Sequence, residues 1–420
     1  MNRCNRSPLK SPFRQSLALL LTLLSLPAQA MDSTDLLPAG VNSPAFRYGI
    51  VSGVDSKYTN DGSVASLNDI NTIEFNSEQL VKISPEITTL VNILNQFSQQ
   101  QLGSQISLGT LRIETVPEVR YKVPIYARGI TDDITIGIAL PIVSYKNKLS
   151  LNQSASNAKA ICAQFQGIQL PEIEDACRQL DIKITDAVRD ELAKKGYKPI
   201  KDRDETILTD LQLVGFWKMH DNKNSKTSAY LRTTLNLPTG PANDPDDLAD
   251  LGASGNTSAE EQLMLNYLPF KWLRIAANAS YKWSVPDKAE MRVPGSPGDF
   301  LPGPESKEKV SRDVGDTVST GIALTGYIGD LFSVAGGYQV SRKFADKYDG
   351  TRGLRYDLLS KDTASVSHKL RAALGFDTIA IYQRTKKFPP LKLDFEVTNS
   401  FAGTNSDRQL VNEFSLTLFF

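Results

Sequence analysis

The chain ends on Phe414–Phe420, FSLTLFF, and the reading of this stretch decides the fold. Successive side chains of a strand point to opposite faces. Phe414, Leu416, Leu418 and Phe420 therefore share one face, and Glu413, Ser415, Thr417 and Phe419 the other. In water such a terminal strand is an exposed, aggregation-prone edge. In lipid the apolar face needs no protein cover, and pairing of the last strand with the first leaves no edge.

The opposite terminus points the same way. Arg3, Arg6, Lys10 and Arg14 precede a short Leu-rich core from Ser16 to Leu26, and Ala28-Gln29-Ala30 follows. A basic region, an apolar core and an A-x-A site describe a secretory signal peptide over 1–30. The expected mature chain is 31–420. It keeps 43 of the 47 basic residues against 47 acidic ones, since all four basic residues of the leader are lost. No basic block or RNA-binding motif indicates a nucleic-acid partner. No stretch is long and apolar enough for a membrane helix. A mean hydropathy of −0.26 suits a barrel whose strands give half their residues to a polar lumen.

Working inward, the sequence alternates. Ile134, Ile136, Ile138, Leu140 and Ile142 are separated by Thr135, Gly137, Ala139 and Pro141. Similar alternation predicts strands near 44–58, 106–128, 132–147, 206–220, 227–238, 258–268, 271–284, 313–328, 331–343, 361–376, 390–402 and 408–420. The fold class expected is all-β: a transmembrane antiparallel up-and-down β-barrel of about 12 strands (alternatively 14) with helical loop inserts. Links at 129–131, 221–226, 269–270 and 329–330 are tight, whereas 59–105, 148–205, 239–257, 285–312 and 344–360 are long. Outer-membrane barrels show this alternation of turns and loops. The link 377–389 breaks it by being long in a short slot, and 403–407 by being short in a long one.

The faces agree. Leu391, Leu393, Phe395 and Val397 oppose Lys392, Asp394 and Glu396; Leu370, Ala372 and Leu374 oppose Lys369 and Arg371. A charged row is costly in a dry core and acceptable in a hydrated lumen. The predicted lumen-lining residues are Arg120, Lys122, Asp210, Arg232, Arg274, Lys369, Arg371, Lys392, Asp394 and Glu396. On the strand around 119–128 this reading sends Val119, Tyr121, Val123 and Ile125 to lipid.

Two inserts, near 77–100 and 152–204, read as helical. In 84–99 Ser84 is a cap, Pro85 fits the first turn, and Ile87, Leu90, Val91, Leu94 and Phe97 form a stripe. The inserts are compatible with a plug in the mouth, with an external cap, or with loops that pack on themselves without gating anything. Cys162 and Cys177 are an isolated pair in an exported chain, which predicts a disulfide closing a local loop. Free or metal-bound thiols are the alternative, and no His lies near them in sequence.

Some segments resemble a known family. LTDLQLVGFWKM (208–219), AYLRTTLNLPTGPANDP (229–245) and LKLDFEVTNSFAGTN (391–405) are similar to the outer-membrane proteins of the meta-pathway phenol-degradation family, relatives of the long-chain fatty-acid and toluene transporters. The features are Thr209-Asp210, Leu237-Pro238-Thr239-Gly240 and Gly403-Thr404-Asn405, and the resemblance covers 206–420. It implies a passive channel for small, often hydrophobic solutes. The Asn-Pro-Ala run of the fatty-acid transporters is absent after Ala30. Phe420 also resembles the terminal signal read by the outer-membrane assembly machinery.

No cofactor or metal is expected. Asp244, Asp246, Asp247 and Asp250 are dense but lack the ligand order of a calcium loop, and a solvated external loop is expected. An enzyme is not expected: of His220 and His368, the latter has Ser365 and Ser367 on the opposite strand face. The expected role is an outer-membrane channel for small hydrophobic solutes in a Gram-negative bacterium. The alternatives are a structural or adhesive barrel with an occluded lumen, or a barrel hydrolase. Expected partners are outer-membrane lipid, lipopolysaccharide, the assembly machinery and a small solute; oligomeric state is open.

Overall fold

A computed structural model describes residues 36–420 apart from 71, 78–84, 97, 99, 166–170, 181–183, 251–254, 298 and 300. The expected leader 1–30 lies outside the described residues, as do Ser84 and Phe97 of the first insert.

Twelve antiparallel strands close into a ring. They are β1 (Asn42–Ser52), β2 (Ser107–Thr131), β3 (Ile134–Ala139), β4 (Leu211–Asn222), β5 (Thr227–Leu237), β6 (Ser258–Phe270), β7 (Leu273–Ser284), β8 (Thr317–Ile328), β9 (Phe332–Lys343), β10 (Ser365–Asp377), β11 (Leu391–Thr404) and β12 (Leu410–Leu418). β1 closes the ring by pairing with both β12 and β2. Asn42 and Phe420 exchange backbone hydrogen bonds of 2.7 and 3.0 Å. The start of β1 and Phe420 thus both lie at the end that carries the tight turns. The long link in a short slot holds a helix, α5 (Ile379–Thr385).

The outer face of the ring is an apolar belt. Ile322 and Leu324 of β8 are each 52% exposed. Aromatic side chains edge the belt, where an amphipathic ring meets both lipid and water. Phe270 stacks on Trp272, and Phe332 packs on Phe376, at the turn end; Tyr281 meets Trp283, and Tyr338 meets Phe401, at the loop end.

One sector rises beyond this belt. β2 has 25 residues, roughly 80 Å of extended chain, whereas an apolar belt is about 25 Å tall. Its upper half pairs with Ile142–Gln153, and that segment with Arg203–Leu208. The expected strand 132–147 is therefore two segments broken at Leu140-Pro141, where proline offers no N–H to a ladder. The expected strand 206–220 is likewise broken at Thr209-Asp210. The two breaks face each other, and Thr209 bridges them: its N–H and its hydroxyl both donate to the Pro141 carbonyl, at 2.9 and 3.1 Å.

This rise corrects the face assigned to β2. Val119, Tyr121 and Val123 point inward and pack with Val51, Val54, Val143 and Tyr145. Arg120 and Lys122 point outward and are exposed, so they do not line the lumen. The outer wall there also carries the exposed pairs Arg120–Glu118 (3.8 Å) and Lys146–Asp204 (2.8 Å). Above the belt the outside solvent is water, so charges belong outside and apolar side chains inside.

The helical inserts sit on this raised sheet. α1 (Pro85–Gln96), α2 (Ala158–Ala163), α3 (Pro171–Leu180) and α4 (Ile184–Lys194) build an outer lobe. Phe75, Leu94, Ile106, Leu111, Ile161 and Ile173 form its core. The Cys162–Cys177 disulfide packs against that core and closes a loop of sequence separation 15.

Candidate functional site

One cavity of about 1070 Å³ runs through the ring. It reaches from Leu37, Ser43 and Phe419 at the turn end to Tyr197, Asp244 and Arg292 among the long loops. No described residue of α1–α4 lines it, so the first insert is an outer lobe and not a plug.

Strand register builds a charged wall. On β11, Lys392, Asp394 and Glu396 face the cavity, flanked by Lys369 and Arg371 of β10 and by Glu413 of β12. Glu396 accepts from Arg371 Nε at 2.8 Å and from the Thr398 hydroxyl at 3.0 Å. Asp394 accepts from Ser415 at 3.4 Å and lies 3.9 Å from Lys392 Nζ. Glu413 accepts from the Tyr121 hydroxyl at 2.6 Å. Arg371 and Glu396 are buried; removing one member of such a pair leaves an uncompensated charge and costs about 3–5 kcal/mol.

The wall across the ring is different. Ile125, Ala127, Gly137, Ala139, Val214 and Phe216, from β2, β3 and β4, give it an apolar surface. At the turn end Met264, Asn266, Ala276 and Thr325 of β6, β7 and β8 are buried and do not line the cavity. Leu37 lines the cavity at this end, its N–H donating to the Thr135 hydroxyl at 3.0 Å. Pro38 runs so close to inward-facing Gly129 that a Cβ there would sit 2.1 Å from its carbonyl oxygen.

At the mouth the aspartate-rich loop is ion-paired, contrary to the solvated loop expected. Arg292, on a short strand Asp287–Arg292, donates to Asp246 at 2.6 Å and to the carbonyls of Lys195 (2.7 Å), Gly196 (3.1 Å) and Pro302 (2.9 Å). Its guanidinium lies 4.0 Å from the Tyr197 ring centroid. Lys307 binds the other Asp246 oxygen at 2.6 Å, Arg203 binds Asp247, and Lys198 binds Asp244 at 2.7 Å. Burial works to raise the Asp246 pKa, but the hydrogen bonds from Lys307 and Arg292 outweigh it and hold it below the ordinary value of 3.8. The Lys198 ammonium lowers Asp244 likewise.

Six of the residues predicted for the lumen line the cavity: Arg232, Lys369, Arg371, Lys392, Asp394 and Glu396. Arg274 faces inward near the turn end, outside the cavity, with Nη2 3.4 Å from the Thr325 hydroxyl and its guanidinium 6.0 Å from the Tyr327 ring. Asp210 is buried in the strand break and accepts the Gly240 N–H at 3.1 Å, while Thr239 accepts the Leu211 N–H at 3.0 Å. The Thr209-Asp210 and Thr239-Gly240 motifs thus fasten two strand ends together. Arg47, Glu413, Lys282, Lys343 and Glu260 also line the cavity. Face parity, applied to every strand as it was to 390–402, would have found them. His368 lies on the outer face, its Nδ1 2.6 Å from the Tyr338 hydroxyl.

No protein-family model matches the chain, and no curated protein matches it in sequence. A solved structure does match: the COG4313 outer membrane channel from Pseudomonas putida F1. It has 14% sequence identity, coverage of 93% of this chain and 100% of that one, and a TM-score of 0.51. The likeness is one of fold. The Pseudomonas putida toluene transporter TodX (11% identity, 96% and 92% covered, TM-score 0.31) and the KdgM porin (11%, 73% and 96%, 0.29) are more distant, and nothing further rests on them.

Proposed function

We propose that this protein is a passive channel of a Gram-negative outer membrane, admitting small solutes with a hydrophobic body. The observation that carries the reading is the cavity running from the turn end to the loop mouth inside a closed ring with an apolar outer belt. A lumen walled by paired charges on one side and by Val214, Phe216 and Ile125 on the other offers both water and apolar surface to a solute. The fold shared with an outer membrane channel supports the same reading. Export through a cleaved leader and insertion guided by the terminal Phe420 complete it.

The test is permeation. Vesicles holding the purified mature chain are expected to take up a labelled small aromatic solute faster than empty vesicles, and cells lacking the gene to take it up more slowly. Equal rates across a panel of polar and apolar solutes would instead favour an occluded barrel with an adhesive or structural role.

A further inference from the structure

We infer that the lumen holds a binding station for small organic anions, centred on Lys369, so that the solutes carried are amphipathic acids. This rests on the channel reading and names its solute class.

The station is a patch on four neighbouring strands, β7 to β10. Register places Ser280, Ser319, Ser341 and Ser367 side by side in one row. The row toward the mouth holds Lys282, Thr317, Lys343 and Ser365, and the row toward the turn end holds Asn278, Gly321, Gln339 and Lys369. Ser319 donates to Ser341 at 2.8 Å. No carboxylate stands in these three rows. Hydroxyl and ammonium groups dominate them, which is the donor-rich, cationic chemistry that an oxyanion requires.

Most charges around the patch already have a partner or an opposite charge facing them. Lys343 is held by Asp346, and Lys282 stands directly across from Glu260. On the flanking strands Arg371 holds Glu396, Lys392 stands by Asp394, and Tyr121 holds Glu413. Lys369 makes no hydrogen bond or ion pair with the described residues, although it lines the cavity. The fixed charges acting on it are Arg371, which repels, and Asp407, which attracts. A half-buried ammonium beside a second cation is costly unless an anion or water reaches it. Its oxyanion partner can be a carboxylate or a phosphate. β3 and β4 lie across the ring and turn Gly137, Val214 and Phe216 into the same cavity. That apolar surface matches the body of an organic carboxylate and has no use for inorganic phosphate.

The experiment uses the detergent-solubilised mature chain. Benzoate, benzyl alcohol and inorganic phosphate are titrated by calorimetry into the wild type, Lys369→Gln and a turn variant, Lys223→Gln. Benzoate is expected to bind the wild type and Lys223→Gln alike, and Lys369→Gln about tenfold or more weakly, the size of one lost charge-assisted hydrogen bond. Benzyl alcohol is expected to bind weakly and equally to all three. Equal benzoate affinity in wild type and Lys369→Gln overturns the station, and phosphate binding as tight as benzoate overturns the organic-acid class. In planar bilayers under a KCl gradient the wild type is expected to prefer chloride, and Lys369→Glu to lose that preference. Cation preference in the wild type also overturns the inference. Absence of any current and of any solute permeation counts against the channel reading, while the benzoate titration still decides the station.

Discussion

The two halves of β2 belong to opposite worlds. Leu108 and Leu111, in its upper half, are buried in the core of the outer lobe. In the lower half Tyr126 and Ile130 face outward at 47% and 48% exposure. The lobe has a sheet, helices, an apolar core and a disulfide, as a small domain in water does. The ring is apolar outside and holds ion pairs within. One strand follows both rules because the solvent on its outer face changes along its length. The change falls near Lys122, and it is why face chemistry learned from β10 and β11 misassigned β2.

Four predictions test that contrast. Leu94→Ala, at a fully buried lobe position, is expected to destabilise the lobe by about 2–5 kcal/mol and leave the ring folded. Hydrogen exchange should show the loss confined to α1–α4, and loss spreading into β5–β10 would join the two regions into one cooperative unit. Ile322→Arg puts a charge in the middle of the belt. It should cost about 2–4 kcal/mol in lipid-vesicle unfolding, while the same residue at lumen-facing Thr234 stays within roughly 1 kcal/mol. Equal costs at the two positions would deny that the belt faces lipid.

Replacing Cys162 and Cys177 by serine should loosen the lobe by about 3 kcal/mol, as expected for a closed loop of this length. Protease sensitivity in the second insert would report it, with heat-modifiable migration of the ring unchanged. The smallest effect concerns the mouth. Asp246 has a depressed pKa, so its contribution is fully present above pH 3.8 and is lost as pH falls through its lower folded value. Hydrogen-exchange protection of the loop 238–250 should therefore be flat near neutrality and decline only in acid. Arg292→Gln should lower that protection already at neutral pH, by about 1–3 kcal/mol. A decline centred near pH 6 would point to a different group.

Much of this was legible because alternation is local. Phe395 and Glu396, or Leu370 and Arg371, announce two faces from adjacent residues. Asp210 shows the limit: its parity is inward, but its role comes from Gly240, on a strand whose end only the folded ring brings beside it. The Asp244–Asp250 loop shows it again, since Arg292, Lys307 and Arg203 arrive from other loops. The helical stripe of 84–99 called for an apolar partner without naming one; Leu94 finds it in the lobe core, and the helix packs on 102–105 and on α3.

By itself the sequence determined a β-barrel, the terminal strand that closes it, and most of the charges inside. These follow from a two-residue period and from the cost of leaving charge in a dry place. Only the tertiary structure decided where β2 leaves the belt, which loops lock the mouth, and which charges meet inside the lumen. Periodicity assigns side chains to faces, but the medium each face meets and the partner each charge finds depend on residues far away in the chain.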